Sequence, residues 1–403
     1  MIGEVNRNKF SKDDINAINK FIRKTNKISF YGRESIQKEY EQELSKYCNR
    51  EYCLLTNSGT NALFSAYFAL NLSEGDEVIV QTQTFWASVM PLFLLNLKPI
   101  LVDSEKESGN IDIKEIEKNI TKNTKAIVVT YFPGFKTRIK EIVKIAKKHN
   151  LKIIEDISLC IGAKIEEKPL GSFGDIACFS LGSTKLLSGG QGGGLVTNNR
   201  EYYERAVLLG YFGERSLNEI MNPFYRQFSN VGYGLNNRMH VLSIAVSKEK
   251  FGKIDLLIRQ RHKRFSILLK YLKKLPFLII PKEINGFEKG SWHGLYVFFN
   301  PKECKISLEE YIKELNRKGI SINRGLHYPL LHQTQFFQTK QDGLRGLKKN
   351  NNKQIYSKNQ FPNSEICVKN LVSLPLFLDE PLEEIHKYGK KLLKISREIL
   401  KNG

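Results

Sequence analysis

The chain has 403 residues, 41% of them hydrophobic and 26% charged, a length that suggests two domains and a composition too apolar for disorder. Its net charge of +21 is spread along the whole chain and mixed with Glu, as in Lys106-Glu107 and Lys114-Glu115, which suits attraction of a small anion better than a nucleic-acid patch. The six cysteines show no CxxC pair or metal-ligand spacing, no apolar run reaches eighteen residues, and the N-terminus lacks an apolar core, so the expectation is a metal-free, cytoplasmic protein without a membrane span.

Two amphipathic helical segments, 13–23 and 34–47, open the chain. Between them lies Phe30-Tyr31-Gly32, a loop that could reach a site. Tyr52-Cys53-Leu54-Leu55 reads as a short strand, followed by Ser58-Gly59-Thr60 and an Ala/Leu/Phe helix. A helix start offers free backbone N–H groups and suits a phosphate. A capping hydroxyl is an equally ordinary reason for Ser-Gly-Thr.

Strands at 77–80, 100–102, 126–130 and 153–154 alternate with helices, one of them after Gln83-Thr84-Phe85-Trp86-Ala87-Ser88 and another over 140–149. That alternation predicts an α/β fold with a mostly parallel sheet covered on both faces. Ligands of such sheets bind at the carboxyl ends of strands. Ser58, Phe85, Asp156 and Ser180 each follow a strand, so they are expected to converge.

The chemistry concentrates between 153 and 199. Glu155-Asp156 closes one strand, a β-rich run covers 176–180, and Lys185 precedes a glycine cluster from Gly189 to Gly194. Taken singly, such an Asp is a turn or cap residue and such a Lys a solvated charge. Together they suit a cofactor with a basic ring nitrogen, an aldehyde and a phosphate. Pyridoxal phosphate (PLP) is that cofactor: a lysine forms its Schiff base and a carboxylate keeps the ring nitrogen protonated.

Past 199 the pattern gives a helix over 200–209, a looser region over 213–234, and a helical stretch to about 275. A domain boundary near 250 divides a large domain, 1–250, from a small α+β domain, 251–403. The latter holds a strand at 295–299, a helix at 308–318 and an amphipathic helix at 381–400, while the basic, Asn-rich 338–360 segment reads as an exposed loop.

With these residues in view, the sequence resembles the DegT/StrS-type nucleotide-sugar aminotransferases, fold type I PLP enzymes, over nearly its whole length. The likeness rests on Ser58-Gly59-Thr60-x-Ala62-Leu63, Thr84-Phe85-x-Ala87-Ser88, Glu155-Asp156, Ser180-x-x-x-x-Lys185 and Gly190-Gln191-Gly192-Gly193. It continues in Gly234-x-Asn236-x-Arg238-Met239, His327-Tyr328-Pro329-x-x-His332, Phe361-Pro362-Asn363-x-Glu365 and Ser373-Leu374-Pro375-Leu376. Each motif is weak alone, and the ordered set is strong.

The resemblance implies that Lys185 forms the Schiff base and shuttles the proton, and that Asp156 faces the ring nitrogen. Phe85, or else its neighbour Trp86, stacks on the ring, with core packing as the rival reading for both. Ser58, Gly59, Thr60 and Ser180 bind the phosphate, together with Asn236 of the partner subunit in a homodimer with shared sites. Glutamate or glutamine is the implied donor and a 3- or 4-keto nucleotide sugar the acceptor, with a keto-cyclitol or small phosphorylated ketone as the alternative. Tyr31, His327 and His332 are candidates for the acceptor pocket, although each histidine, like His293, has a structural reading too. Relatives that dehydrate deoxysugars replace the lysine by histidine, and Lys185 argues against that outcome. Three positions depart from the pattern. Leu159 stands where Gln or His usually meets the cofactor's phenolic oxygen, with Ser158 as a substitute. Thr130 stands where a His is usual, and no acidic pair occurs around Lys136-Thr137-Arg138.

Overall fold

The computed structural model describes residues 3, 10–25, 32–33, 35–132, 135, 137–280, 293–304, 306–325, 329–339 and 353–402. Its centre is a seven-stranded sheet. In chain order the strands are β1 (Tyr52–Thr56), β2 (Glu77–Gln81), β3 (Lys98–Val102), β4 (Thr124–Thr130), β5 (Lys152–Asp156), β6 (Ile176–Ser180) and β7 (Gly193–Thr197). In space they run β1-β7-β6-β5-β4-β2-β3. β2 to β6 pair in parallel, and β7 runs against both its neighbours, β1 and β6.

The strand sequences explain the layering. Successive side chains of a strand point to opposite faces, and here both sets are apolar. Leu55, Ile79, Ile127, Val129, Ile153 and Phe179 enter one layer. Leu54, Val78, Val80, Ala126, Val128, Ile154 and Cys178 enter the other. A strand apolar at every position needs cover on both sides. Ser35–Tyr47 and Ile139–Lys148 supply it on the first face through Tyr40, Leu44, Ile139 and Ile142. Gly59–Ala69 and Arg200–Gly210 supply it on the second through Ala62, Ala66, Tyr67, Ala206 and Val207.

A second sheet of four antiparallel strands comprises Leu278–Ile279, Leu295–Phe299, Leu371–Leu374 and Asn323–Arg324. Leu308–Arg317 and Leu382–Asn402 lie against it, and its Val297 and Phe299 belong to the same continuous core as Tyr40 and Ile153. The helical stretch expected to run to 275 is two helices, Val241–Phe251 and Ile254–Leu272, interrupted at Gly252-Lys253. The segment read as an exposed loop has its centre, 340–352, outside the described residues. Its end is not exposed throughout, because Tyr356 is buried and its hydroxyl accepts a hydrogen bond from Leu101 N–H at 2.8 Å.

One buried ion pair fastens Ser35–Tyr47 to the large sheet. Arg215 Nη1 and Nη2 donate to the Glu41 carboxylate at 3.1 and 2.9 Å, and Leu55 N–H donates to it at 3.0 Å. Burial pushes the Glu41 carboxyl up, but Arg215 and Arg33 outweigh it and leave the group below its ordinary range. A depressed carboxyl stabilises the fold above its unfolded pKa of about 4.3, and that contribution fades as the pH falls through the lower folded value. Glu41→Gln, which takes from buried Arg215 the carboxylate that both its Nη groups bond and leaves it only Glu219 at 3.2 Å, is expected to lower stability by roughly 3 kcal/mol. Thermal melts at pH 7 would register this, and an unchanged Tm would contradict it.

Candidate active site

The carboxyl ends of the parallel strands gather the predicted residues on one face. Thr56, Thr130, Asp156 and Ser180 each stand two residues after Leu54, Val128, Ile154 and Cys178, so they share that face of the sheet. Register brings them side by side. Gly193, at the start of antiparallel β7, pairs with Thr56 on one side and Ser180 on the other. Asp156 pairs with Cys178 on one side and Thr130 on the other.

Backbone closeness shapes one end of the site. A Cβ on Gly193 would lie 2.5 Å from Gly59 N, and one on Gly59 would lie 2.8 Å from Ser180 Cβ. Only hydrogen fits there, so the helix start, β7 and Ser180 form one tight cradle. Ser58 caps the helix Gly59–Ala69, its Oγ accepting from Asn61 N–H at 3.1 Å. The first-turn N–H groups of a helix have no intrahelical acceptor, and the positive end of its dipole favours an anion. Both readings of Ser-Gly-Thr therefore coexist, since a capped helix start is also an anion cradle.

Asp156 is buried at the end of β5. Its Oδ2 accepts from Ser88 Oγ at 2.9 Å and its Oδ1 from Ser158 N–H at 3.1 Å. Its neighbour Glu155 points to the other face and holds the structure together. Glu155 accepts from Tyr131 Oη at 2.6 Å and from the N–H groups of Gly171, Phe173 and Gly174 at 3.0, 2.7 and 2.7 Å.

Lys185 is half-buried in a loop between β6 and β7 that is closed by backbone hydrogen bonds from Leu181 N–H to Gly192 O and from Gly189 N–H to Leu181 O. Val241–Phe251 backs that loop, where Ser247 Oγ donates to Leu187 O at 2.7 Å and Lys250 Nζ to Ser188 O at 2.8 Å. The glycines allow the approach: a Cβ at Gly189 would meet Ser243 O at 2.4 Å. Burial pushes the Cys160 thiol far up, Asp156 adds to the push, and Lys185 pulls it back. Lys185 leaves β6, the strand paired with the one that ends in Asp156, so the acid and the lysine come off adjacent strands.

The remaining candidates fall in different places. Phe85 and Trp86 are 39% and 50% exposed, with ring centroids 3.8 Å apart, at the turn after β2. Asn236 is exposed, and its carbonyl accepts from Asn57 Nδ2 at 3.2 Å, beside the helix start of its own chain. His332 is fully buried, with Nδ1 2.8 Å from Thr82 Oγ1 and Nε2 3.1 Å from both Lys358 O and Glu365 Oε1, so its ring fastens the C-terminal segment to the end of β2. Tyr31 and His327 lie outside the described residues. Leu159 is half-buried against the apolar core. Sequence reasoning assigned no role to Thr84 or Ser88, although both stand in a quoted motif, because nothing in their spacing shows that they face Asp156.

These residues fit PLP. Two strand spacings, about 10 Å, separate β7 at the cradle from β5 at Asp156, comparable to a pyridine ring with its phosphate arm. A helix start at one end, a carboxylate at the other and a lysine on the loop leaving β6, the strand between them, fit a PLP-binding transferase of the doubly covered, mostly parallel kind. A sequence profile of the DegT/DnrJ/EryC1/StrS aminotransferase family matches residues 9–392, and the chain belongs to that family.

The chain is similar to the dTDP-3-amino-3,6-dideoxy-alpha-D-galactopyranose transaminase of Aneurinibacillus thermoaerophilus, with 29% identity over 359 residues, 87% of this chain and 89% of that one. It is 34% identical over 240 residues to the GDP-perosamine synthase of Escherichia coli O157:H7, covering 60% of this chain and 64% of that one. Among solved structures, an aminotransferase from Psychrobacter cryohalolentis superposes with a TM-score of 0.83 at 22% identity over 98% of both chains, a likeness of fold. No helix among the described residues is long and apolar enough to cross a membrane.

Proposed function

We propose that this aminotransferase moves an amino group from glutamate or glutamine to a 3- or 4-keto sugar carried on a nucleotide, in glycan biosynthesis in the cytoplasm. The family match over residues 9–392 carries the reading. The two curated relatives, a dTDP-sugar transaminase and a GDP-perosamine synthase, support the substrate class. A net charge of +21 favours a substrate bearing a diphosphate. The six free, buried cysteines suit a reducing compartment.

When bound, PLP supplies an electrophilic carbon for amines and a ring that accepts electrons. The chain's own groups do the rest. Lys185 Nζ would hold the cofactor and would serve as the base that moves the proton from the amino acid's α-carbon. Asp156 would hold a proton on the ring nitrogen through a charge-assisted hydrogen bond. Thr60, Ser180 and the helix start would hold the phosphate, while Phe85 or Trp86 would cover the ring.

The site is shared between two copies of the chain in this reading. Phe224, Val231 and Tyr233 are 62%, 70% and 56% exposed close in sequence to Asn236, and with Phe85 and Trp86 they offer apolar surface that a second copy would cover. Mixing the Asn236→Ala and Lys185→Ala proteins tests this. Asn236 serving the other chain's phosphate predicts recovered activity, because one site of the mixed dimer then carries neither defect. No recovery despite proven subunit exchange means that Asn236 serves its own chain. The acceptor is tested by offering keto substrates with glutamate and then glutamine. Amine formation is expected on nucleotide-linked keto sugars, and turnover confined to keto-cyclitols or phosphorylated ketones would overturn the assignment.

A further inference from the structure

Three buried hydroxyls form an unbroken line into Asp156. Ser88 Oγ lies 2.9 Å from Asp156 Oδ2, Thr84 Oγ1 lies 3.0 Å from Ser88 Oγ, and Thr130 Oγ1 lies 3.0 Å from Thr84 Oγ1. Exposure along the line is 0% for Ser88, 1% for Thr84, 6% for Thr130 and 5% for Asp156. A hydroxyl has a single proton to give, and an ionised carboxylate can only accept. Ser88 therefore spends its proton on Asp156, Thr84 donates to Ser88, and Thr130 donates to Thr84. Every O–H dipole in the line points toward the carboxylate.

The line is also held in place. Tyr67 Oη donates to the carbonyl of Ser88 at 2.7 Å, fixing the turn that carries it. Thr130 is fixed by the β4–β5 ladder, where it pairs with Asp156 itself. Ser158 N–H occupies the second carboxylate oxygen. The carboxylate is thereby fixed in one rotamer, and each oxygen keeps a further lone pair with which to accept.

We propose that Ser88, Thr84 and Thr130 are positioning residues for the reaction: a one-way hydroxyl relay that orients the Asp156 carboxylate toward the cofactor ring and reinforces its negative charge. The proposal rests on the reading of Asp156 as the ring-nitrogen acid. Hydrogen bonds in series inside a protein polarise one another, and donors fixed in advance need no reorganisation when charge shifts during the reaction. Thr130 ends the relay at the position where the resembled family usually has a histidine. A hydroxyl there can donate its one proton without bringing a second titrating group beside the acid.

The relay makes a prediction that a merely structural role does not. Ser88→Ala removes one donor from a charged acceptor, and is expected to lower kcat by about 10-fold or more, with little change in KM for the donor and a shifted visible absorption band of the bound cofactor. Ser88→Thr, which restores the hydroxyl, is expected to recover both. Thr130→Val leaves no donor without an acceptor, so the melting temperature of the cofactor-free protein should hold while the band moves in the same direction as in Ser88→Ala, by less. In an Asp156→Asn background, Ser88→Ala should add little further loss, because both changes act through one carboxylate.

Additive losses, or an unmoved absorption band with activity and stability falling together, would overturn the relay while leaving Asp156 in place. A wild-type rate in Asp156→Asn alone would instead overturn the reading on which the relay rests.

Discussion

Lys185→Ala is expected to abolish transamination, a loss of roughly 10⁴-fold or more for a group that serves as both nucleophile and proton carrier. The fold should survive it. The loop that carries Lys185 is closed by main-chain bonds between Leu181, Gly189 and Gly192 and is backed by Ser247 and Lys250. None of these contacts uses the lysine side chain. The cofactor-free variant should therefore melt with the wild type, and single-turnover assays with glutamate should show no amino transfer. Full activity in this variant would end the assignment of Lys185.

Asp156→Asn is expected to keep cofactor in the cradle but slow the reaction by about 10²-fold or more, the scale of a fixed electrostatic group. The amide is almost the same shape, so the loss comes from hydrogen-bond direction and charge. One oxygen of the carboxylate receives Ser158 N–H, which cannot turn round. The amide nitrogen must then replace Oδ2 and face Ser88, whose hydroxyl already receives a bond from Thr84. Ser88 can accept from both, but its own proton then loses the carboxylate it was given to, and the negative charge is gone. Rates at saturating donor, with cofactor content measured on the same sample, check this. A wild-type rate would make Asp156 a turn residue.

Much of the site was legible because a parallel sheet confines function to one edge. Once 153–154 and 176–180 read as strands, Asp156 and Ser180 had to emerge at the same edge, and the structure places them one strand apart. The strand β7 was not legible. Gly193 and Gly194 look like loop residues, yet both pair with β1 and β6, and they are glycines because a Cβ there would meet Gly59 N and Phe179 Cζ at 2.5 and 2.6 Å. That requirement is tertiary, and no local pattern carries it.

The same holds for the hydroxyl line, whose Thr84 and Thr130 are 46 positions apart. Glu155 was legible as half of a motif, but its task of holding the 171–174 turn was not. His332 carried two readings in the sequence, and its full burial between Thr82, Lys358 and Glu365 is what the structure adds.

The central claim is that one lysine, between an acid and a phosphate cradle, carries the cofactor. Borohydride reduction of the PLP-loaded protein, followed by digestion and mass mapping, tests it most directly. The account expects the cofactor's mass on the peptide containing Lys185 and its absence when glutamate is added before reduction. A label fixed to a different lysine, or none despite bound cofactor, would contradict it.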